Sequence, residues 1–232
     1  MLPLRVVDLG RKDYGETLEL QRRLCTARAE PGHGLDDVLL LVEHEPVVTL
    51  GRTTRATSLP LTPEAIAQLG VGVHEVERGG DVTWHGPGQL VGYPIVDLRR
   101  MREDLHWYLR SLEDALIDAL ESLGVPADRN PGYTGVWTAG RKIASLGVHV
   151  KRWVTLHGFA LNVVNDLSGF DLIVPCGIPQ VVMTSVAAEL GGTESPEQLF
   201  ARTRVAVVAS LGRALDREPL GNQSVPAGVQ VR

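Results

Sequence analysis

The segment DVLLLVEHE, residues 37–45, restricts the fold of this chain more than any other stretch. Residues 38–42 are all apolar, and side chains along a strand point alternately to opposite faces, so both faces of this strand must be buried. The run is also far too short to cross a lipid bilayer, which takes about 20 apolar residues in a helix. The segment therefore predicts an inner strand of a layered protein.

Around this strand, groups of further strands alternate with helices. Alternating or apolar runs predict strands at 4–9, 46–51, 73–77 and 90–98, and an antiparallel meander over 134–163. Helical spacing and capping residues predict helices over 13–29, from Thr62-Pro63, over 103–125 and from Pro196. This order predicts the α/β (α+β) class, a single domain whose mixed, mostly antiparallel sheet is flanked by helices, which we expect on one side of it.

Composition limits the domain and its surroundings. Residues 1–217 are predicted to form the domain, whereas the polar segment 218–232, which contains Gly and Pro, is predicted to be a flexible tail. A net charge of −5 and a pI of about 5.8 argue against a nucleic-acid-binding protein. The N-terminal MLPLRVVDLGRKDYGE lacks the apolar core of a signal peptide, so we expect a cytoplasmic protein.

The sequence contains only two cysteines, Cys25 and Cys176, and the second has the more informative surroundings. Cys176 stands in DLIVPCGIP, between a proline and a glycine, directly after the apolar residues 172–174. Two cysteines exclude four-thiolate zinc, and a reducing compartment disfavours a disulfide. The remaining interpretations are a packed side chain, a metal ligand and a nucleophile, and the turn around Cys176 favours the nucleophile.

A nucleophilic cysteine needs a cationic neighbour, because a free thiol is only about 3% thiolate at pH 7. Lys142 is a candidate, since only three of the 23 basic residues are lysines and this chain uses arginine almost everywhere else. A lysine can give up its proton, which an arginine in effect cannot. The alternatives are an exposed Lys142 at the start of a strand and a histidine partner for the thiol.

The segment RGGDVTWHGPGQL, residues 78–90, holds four glycines and a proline within its first eleven residues. Glycines are used where the backbone needs positive φ or must lie close to another group. Such a loop can present N–H groups to an anion or a developing oxyanion, but this one lacks the Gly-Lys-Ser/Thr ending of a P-loop. His85 within it is expected to titrate near neutral pH. A tight hairpin with a hydrogen-bonded histidine is the alternative.

The strands of the meander carry histidines and a glycine of their own. His149 and His157 are predicted on neighbouring strands, yet no spacing of the HExxH type accompanies them, so we predict no metal site. Gly158 lies within a predicted strand, where a glycine indicates a bulge or the close approach of a ligand.

Three motifs occur together in the order RGGDVTWHGPGQL, GRKIASLGVHVKRWVTLHGFALNV and PCGI. In this order and spacing they closely resemble the lipoyl(octanoyl) transferase family, and the resemblance runs over residues 5–215. It implies a single domain of the biotin/lipoate protein ligase type. It also implies transfer of an octanoyl group from acyl carrier protein to a lysine of a lipoyl domain, the first step of protein lipoylation.

The resemblance also implies roles for individual residues. Cys176 would be the nucleophile that forms an acyl thioester, and Lys142 its partner in a Cys/Lys dyad. On chemical grounds, His149 is a candidate auxiliary proton carrier with His85 as the alternative, and backbone N–H groups around Ser145 to Gly147, or at Gly177, are candidate oxyanion donors. The stretches that match the family's acyl-substrate contacts are Arg78, Gly79, Gly80, Asp81, Val82, Thr83, Trp84, His85, Ser145, Leu146, Gly147, Gly158, Phe159 and Ala160.

Partners and cofactors follow from the same resemblance. The donor would be acyl carrier protein, and the acceptors would be lipoyl domains of 2-oxoacid dehydrogenase E2 subunits and the glycine cleavage H protein. No cofactor is expected, because the acyl group arrives on the phosphopantetheine of the carrier. We expect a monomer without nucleic-acid or membrane partners.

Three other functions remain open at the level of sequence. An ATP-dependent lipoate or biotin protein ligase would share the fold and a similar glycine-rich loop, but it does not need a thiol in PCGI. A thioesterase would replace the acceptor amine with water. A lipoyl-domain or acyl-binding module without catalysis would leave Cys176 as a buried side chain.

Overall fold

A seven-stranded sheet forms the centre of the protein. The computed structural model describes all residues except 33, 193, 227, 228 and 230–232. The sheet order is β10-β1-β2-β6-β9-β8-β7. Its strands are β1 (Leu2–Lys12), β2 (Asp37–His44), β6 (Gln89–Ile95), β7 (Val136–Thr138), β8 (Arg141–Lys151), β9 (Val154–Asn162) and β10 (Arg217–Leu220). As residues 37–45 predict, β2 is an inner strand, with β1 on one side and β6 on the other.

A smaller sheet of three strands lies beside the first. It consists of β3 (Val47–Leu50), β4 (Gly72–Glu75) and β5 (Thr83–His85), in the order β4-β3-β5. Across both sheets β1 pairs in parallel with β2 and β10, and β3 with β4, whereas the remaining pairs are antiparallel. The predicted mixed, mostly antiparallel architecture is confirmed.

Helices cover both faces of the large sheet. They are α1 (Tyr14–Ala29), α2 (Pro63–Gln68), α3 (Leu105–Ser122), α4 (Val186–Glu189) and α5 (Pro196–Ala214). The core between the sheet and the pair α3 and α5 contains Leu39 and Leu41 of β2. Leu40 points to the opposite face, where Leu20 and Leu24 of α1 pack. The expectation of helices on one side is therefore wrong, because the all-apolar strand needs a cover on each face.

The strand β10 corrects the prediction of a flexible tail from residue 218. Leu2 of β1 pairs in parallel with Arg217, and the pairing continues to Leu220. The Asp37 carboxylate holds this strand in place, because it accepts hydrogen bonds from Arg217 at 2.7 Å and from Arg28 of α1 at 2.9 Å. The tail prediction is wrong for residues 218–220, and its residues 227, 228 and 230–232 lie outside the described part of the chain.

Within the described residues, none of the helices combines the length and the apolar character that a membrane crossing requires.

Candidate active site

The turn that carries Cys176 has an unusual backbone. Residues 175–177 form one 3₁₀ turn in which Cys176 has φ 56° and ψ 19°, a left-handed conformation that residues with a side chain rarely adopt. The N–H of Cys176 donates to the Val82 carbonyl at 2.9 Å, and the N–H of Gly177 donates to the Val174 carbonyl at 2.9 Å. The turn holds the thiol partly exposed. Gly177, a candidate oxyanion donor, already uses its N–H within the turn.

Asp81, in the glycine-rich segment, packs directly against this turn. A Cβ on Gly177 would lie 2.3 Å from the Asp81 Oδ2 atom, and Gly177 has φ +65°, so only glycine fits here. The same Oδ2 accepts a hydrogen bond from the Ser58 hydroxyl at 2.7 Å. Asp81 Oδ1 accepts the N–H of Val82 at 2.7 Å. The glycine-rich segment therefore supports the cysteine turn through the side chain of Asp81 and the backbone carbonyl of Val82.

Lys142 contacts the thiol directly. Its Nζ atom lies 3.0 Å from Cys176 Sγ, although the two residues are 34 positions apart in the sequence. The lysine side chain is only 1% exposed, and its Nζ also donates to the Thr134 carbonyl at 3.3 Å. The Trp137 ring lies 5.4 Å from Nζ, within the range of a cation–π contact. The Ser145 hydroxyl is 3.8 Å from the same sulfur.

Two segments fix the position of Lys142. The backbone N–H of Lys142 donates to the Val182 carbonyl at 2.8 Å, and its carbonyl accepts the N–H of Thr184 at 2.9 Å. The segment that follows the cysteine turn therefore runs alongside β8. It links the position of Lys142 to that of Cys176. On the other side, a Cβ on Gly135 would lie 2.9 Å from Lys142 Cε, so this glycine leaves room for the lysine chain.

Cys176 lines a cavity of about 290 Å³, close to the lower limit of about 300 Å³ for small-molecule sites. Apolar and polar groups share the walls. Twelve of the predicted site residues line it, namely Arg78, Gly80, Asp81, Thr83, His85, Ser145, Leu146, Gly147, Gly158, Phe159, Ala160 and Cys176. Lys142 touches the sulfur from the protein interior. Gly79, Val82, Trp84 and His149 do not line the cavity.

The residues outside the cavity have structural surroundings. Val82 and Trp84 belong to a separate apolar cluster, in which the Trp84 ring packs edge-on against Phe170. The N–H of Gly79 donates to the Val148 carbonyl at 2.9 Å. The N–H of Gly79 is therefore used within the protein and is not available to an anion.

Arg78 is buried in the cavity wall rather than exposed. Its Nη2 donates to the Thr49 carbonyl at 2.8 Å, and its Nη1 to the Gly79 carbonyl at 3.1 Å. Burial lowers the pKa of Arg78 from its usual value. A Cβ on Gly147 would lie 2.9 Å from Arg78 Cδ, so the glycine of β8 makes space for this side chain.

His85 differs from the expectation of a histidine that titrates near neutral pH. Burial is the main cause that lowers the pKa of His85 to about 3, and the nearby His44 adds to the shift. Its Nδ1 lies 2.7 Å from Gln89 Oε1, which must accept, so Nδ1 carries the proton of a neutral ring. His149 is half-buried, and burial lowers its pKa as well.

Gly158 serves the packing of two strands. A Cβ there would lie 2.2 Å from the Gly92 carbonyl oxygen of β6. The preceding His157 has φ 59°, but the pairing of β9 with β8 continues through His157 and Gly158 without a register shift, so close approach rather than a bulge explains this glycine. Gly158 also lines the cavity, so close backbone approach and access to the site coincide at this position.

The structure adds residues that the sequence does not single out. Tyr14 and Tyr93 close the cavity from α1 and β6, and Tyr133 and Thr134 border it near the lysine. Tyr14 follows a helical apolar pattern and is therefore predicted only as core. The segment 131–135 carries no motif of its own, so only the fold can show that it reaches the site.

Cys25 lies on the buried face of α1, in the core between this helix and the large sheet. Its Sγ is 3.7 Å from the Val154 carbonyl, and burial raises the pKa of Cys25 to about 11. Both cysteines are free thiols. Within the part of the chain that the structure covers, no three His, Cys, Asp or Glu side chains are grouped as metal ligands would be.

Comparison with known proteins agrees with the motifs. The sequence model of the lipoyl protein ligase A/B catalytic domain family matches residues 13–207. An octanoyltransferase of Geobacter sulfurreducens is 52% identical over 188 residues, which cover 81% of this chain and 76% of the relative. An octanoyltransferase of Solibacter usitatus is 47% identical over 219 residues, covering 94% of this chain and 96% of the relative.

Solved structures share the fold at much lower identity. A lipoate-protein ligase A bound with ATP superposes with a TM-score of 0.78 at 15% identity, covering 98% of this chain and 91% of the other. A bipartite lipoate protein ligase of Thermoplasma acidophilum gives a TM-score of 0.76 at 15% identity, with coverages of 99% and 89%. They confirm the predicted type of fold. The chain therefore belongs to the lipoyl protein ligase A/B catalytic domain family, in which its similar relatives are octanoyltransferases.

Proposed function

We propose that this chain is an octanoyltransferase that moves an octanoyl group from acyl carrier protein to a lysine of lipoyl domains through a thioester on Cys176. The observation that carries the proposal is the 3.0 Å contact between Lys142 Nζ and Cys176 Sγ at the wall of a cavity. The name of the curated relatives, octanoyltransferase, supports the acyl group. Membership of the lipoyl protein ligase A/B family supports a lysine of a lipoyl domain as the acceptor.

In the first half-reaction the Cys176 thiolate attacks the carbonyl carbon of the donor thioester. A carbon–sulfur bond to Cys176 forms as the bond to the pantetheine sulfur breaks, and the Lys142 ammonium gives its proton to the departing thiolate. The buried position of Lys142 strengthens its attraction to the thiolate, because little water screens the pair. Exchange of one thioester for another is close to isoenergetic, so this step needs no ATP.

In the second half-reaction the acceptor amine attacks the thioester on Cys176. A carbon–nitrogen bond forms, the bond to Cys176 sulfur breaks, and the neutral Lys142 takes the amine proton, which restores the thiolate and the ammonium. Arginine has no accessible neutral form for this second step. Formation of an amide from a thioester is downhill, so we propose that the enzyme uses neither a metal nor another cofactor.

The cavity is proposed to hold the acyl chain during both steps. Leu146, Phe159 and Val91 give it apolar walls, and its volume suits a short chain rather than a long fatty acyl group. Enclosure of the chain beside Cys176 also keeps water from the thioester, which favours transfer over hydrolysis.

Intact mass after exposure to an octanoyl thioester tests the nucleophile. The wild type should gain one octanoyl group, Cys176→Ala should gain none, and Cys25→Ala should react like the wild type because Cys25 is buried. An octanoyl adduct that persists on Cys176→Ala would refute the proposed intermediate.

Two assays separate the other candidate functions. An ATP-dependent ligase would exchange pyrophosphate into ATP, and we expect no such exchange here. A thioesterase would release octanoate at the same rate with and without a lipoyl domain, whereas the proposal requires the octanoyl group to appear on the lipoyl-domain lysine.

A further inference from the structure

A second cavity begins on the other side of the cysteine turn. It has a volume of about 890 Å³, and Arg55, Gly177 and Ile178 line both this cavity and the first one. These shared residues place the two cavities side by side next to Cys176, which itself lines only the first one. The second cavity is lined mainly by apolar side chains, among them Phe170, Ile173, Val182 and Met183.

Hydroxyl groups accompany these apolar walls. Thr57, Ser58 and Ser168 line the second cavity, and its only charged side chains are Arg55 and Asp171. Within the described residues Arg55 is an exposed cation that takes part in none of the ion pairs of the protein. The cavity thus offers methylene contacts, hydroxyl groups, one guanidinium and one carboxylate, and with one charge of each sign it suits a neutral chain of amides and methylenes.

In acyl exchange the rest of the donor must leave the Cys176 sulfur in a direction different from that of the acyl chain. When the Cys176 sulfur attacks, the thioester carbonyl carbon is bonded both to the acyl chain and to the donor sulfur. With the acyl chain in the cavity of about 290 Å³, the rest of the donor needs a separate route from the sulfur. The cavity of about 890 Å³ begins one residue away, at Gly177.

We infer that the second cavity binds the pantetheine arm of the donor thioester while the first holds its acyl chain. This inference rests on the proposed function and adds to it the place of the donor. Arg55, where the cavities meet, donates to an amide carbonyl of the arm. The acceptor lysine is a poorer occupant, because its short side chain would leave most of the space empty.

Two donors that differ only in the arm provide the test. Octanoyl-N-acetylcysteamine carries the first part of the arm, whereas octanoyl-pantetheine carries the whole of it. Wild-type Cys176 should reach half-maximal acylation at an about tenfold lower concentration of the longer donor, since only this donor fills the second cavity. Acylation is followed by intact mass.

Val182→Asp is the informative variant, because Val182 lines only the second cavity and is 56% exposed, so the substitution is compatible with folding. A carboxylate there should remove most of the preference for octanoyl-pantetheine, measured as the ratio of the half-maximal concentrations of the two donors on the same variant, so that any general change in the reactivity of Cys176 cancels. The matched control is Val205→Asp on α5, where the valine is 67% exposed and lines neither cavity. This control should keep the full preference.

The outcomes separate the two levels of the proposal. A wild type that neither donor acylates would overturn the proposed function. Acylation with equal half-maximal concentrations, or a Val182→Asp protein that keeps the preference, would overturn only the place of the arm. A Val182→Asp protein that is acylated normally but transfers slowly to a lipoyl domain would show that the acceptor uses this cavity instead.

The same arm occurs on acyl carrier protein and on coenzyme A, so both sources are measured. The inference assigns the cavity to the arm itself. Val182→Asp should therefore raise the concentration for half-maximal acylation with octanoyl-acyl carrier protein and with octanoyl-coenzyme A alike. A loss confined to one of these donors would contradict it.

Discussion

At the scale of the residue, the choice of lysine at position 142 carries chemical information. A cation that is 1% exposed and 3.0 Å from a sulfur can hold a thiolate whether it is a lysine or an arginine. Only lysine can also release and recover a proton at neutral pH. The proposed mechanism uses both properties, in different half-reactions.

Lys142→Arg separates these properties. We expect transfer from a preformed octanoyl-enzyme to a lipoyl domain to fall by about 100-fold or more, because no group takes the proton of the amine. Single-turnover rates of each half-reaction measure this, with Lys151→Arg as a control at an exposed lysine. Transfer at the wild-type rate would mean that Lys142 acts only through its positive charge and does not take the amine proton.

Gly135→Ala tests how tightly the lysine is packed. A methyl group there would lie 2.9 Å from Lys142 Cε, and Gly135 has φ +143°. We expect a loss of about 1–2 kcal/mol in stability and an about 10- to 100-fold slower acylation of Cys176. Gly140→Ala is the control, because Gly140 also has positive φ but no heavy atom within 4 Å of an added Cβ. It should lose stability and keep its acylation rate.

The sequence predicts which residues form the site better than it predicts their backbone conformation and their protonation. Cys176 and Lys142 follow from composition and resemblance, but the left-handed φ of the cysteine depends on contacts with Asp81 and Val82 from another segment. His85 shows the same limit. Its usual titration near neutral pH is lost because the fold buries it, and local sequence contains no measure of that burial.

At the scale of elements, α3 positions the site although it lies outside it. Glu113 of α3 is fully buried and accepts the N–H of Gly135 at 3.0 Å, and Arg129 donates to it at 2.9 Å. These bonds hold the segment whose Thr134 carbonyl accepts from Lys142. The helix therefore determines where the lysine ammonium lies.

Glu113→Ala should leave the Gly135 N–H without an acceptor and lower stability by about 2–4 kcal/mol. We also expect slower acylation of Cys176, because the segment that contacts Lys142 loosens. Glu113→Gln, which keeps an acceptor for Gly135, should recover most of the acylation rate. Glu121→Ala, at an exposed position of α3, should change neither quantity. Unchanged acylation in Glu113→Ala would show that Lys142 is positioned without α3.

Most elements could be predicted because their patterns are local. The predicted helix over 13–29 matches Tyr14–Ala29, and the meander over 134–163 matches β7 to β9. The prediction missed β10, because REPL has little strand character of its own and is stabilised by pairing with β1. Of the apolar residues 172–174, Leu172 ends a 3₁₀ turn over 168–172, and Ile173 and Val174 connect it to the 3₁₀ turn at 175–177.

At the scale of the molecule, two buried histidines make stability depend on pH. Burial lowers the pKa of His44 to about 4 and that of His85 to about 3. Both rings are neutral in the folded protein at pH 5, whereas in the unfolded chain they bind a proton below about pH 6.5. The unfolded state therefore takes up more protons, and stability falls as the pH decreases from 6.5 towards 5.

We expect each histidine to contribute about 2 kcal/mol to this loss between pH 6.5 and pH 5. Urea unfolding at several pH values measures it. In His85→Asn the free energy of unfolding should decrease by about that much less between pH 6.5 and pH 5. This holds even if the variant is less stable than the wild type at every pH. His106→Asn, at an exposed histidine, should follow the wild-type curve. An unchanged slope in His85→Asn would mean that His85 is protonated in the folded state.

The parallel pairing of β1 with β10 has a consequence for synthesis in the cell. Leu2 is synthesised long before its partner Arg217, which stands 215 positions later in the chain (217 − 2). During this interval one edge of β1 has unpaired N–H and C=O groups, which other nascent chains can bind. Completion of the large sheet must therefore wait for β10, and until then the free edge of β1 is the part of the sheet that chaperones need to protect.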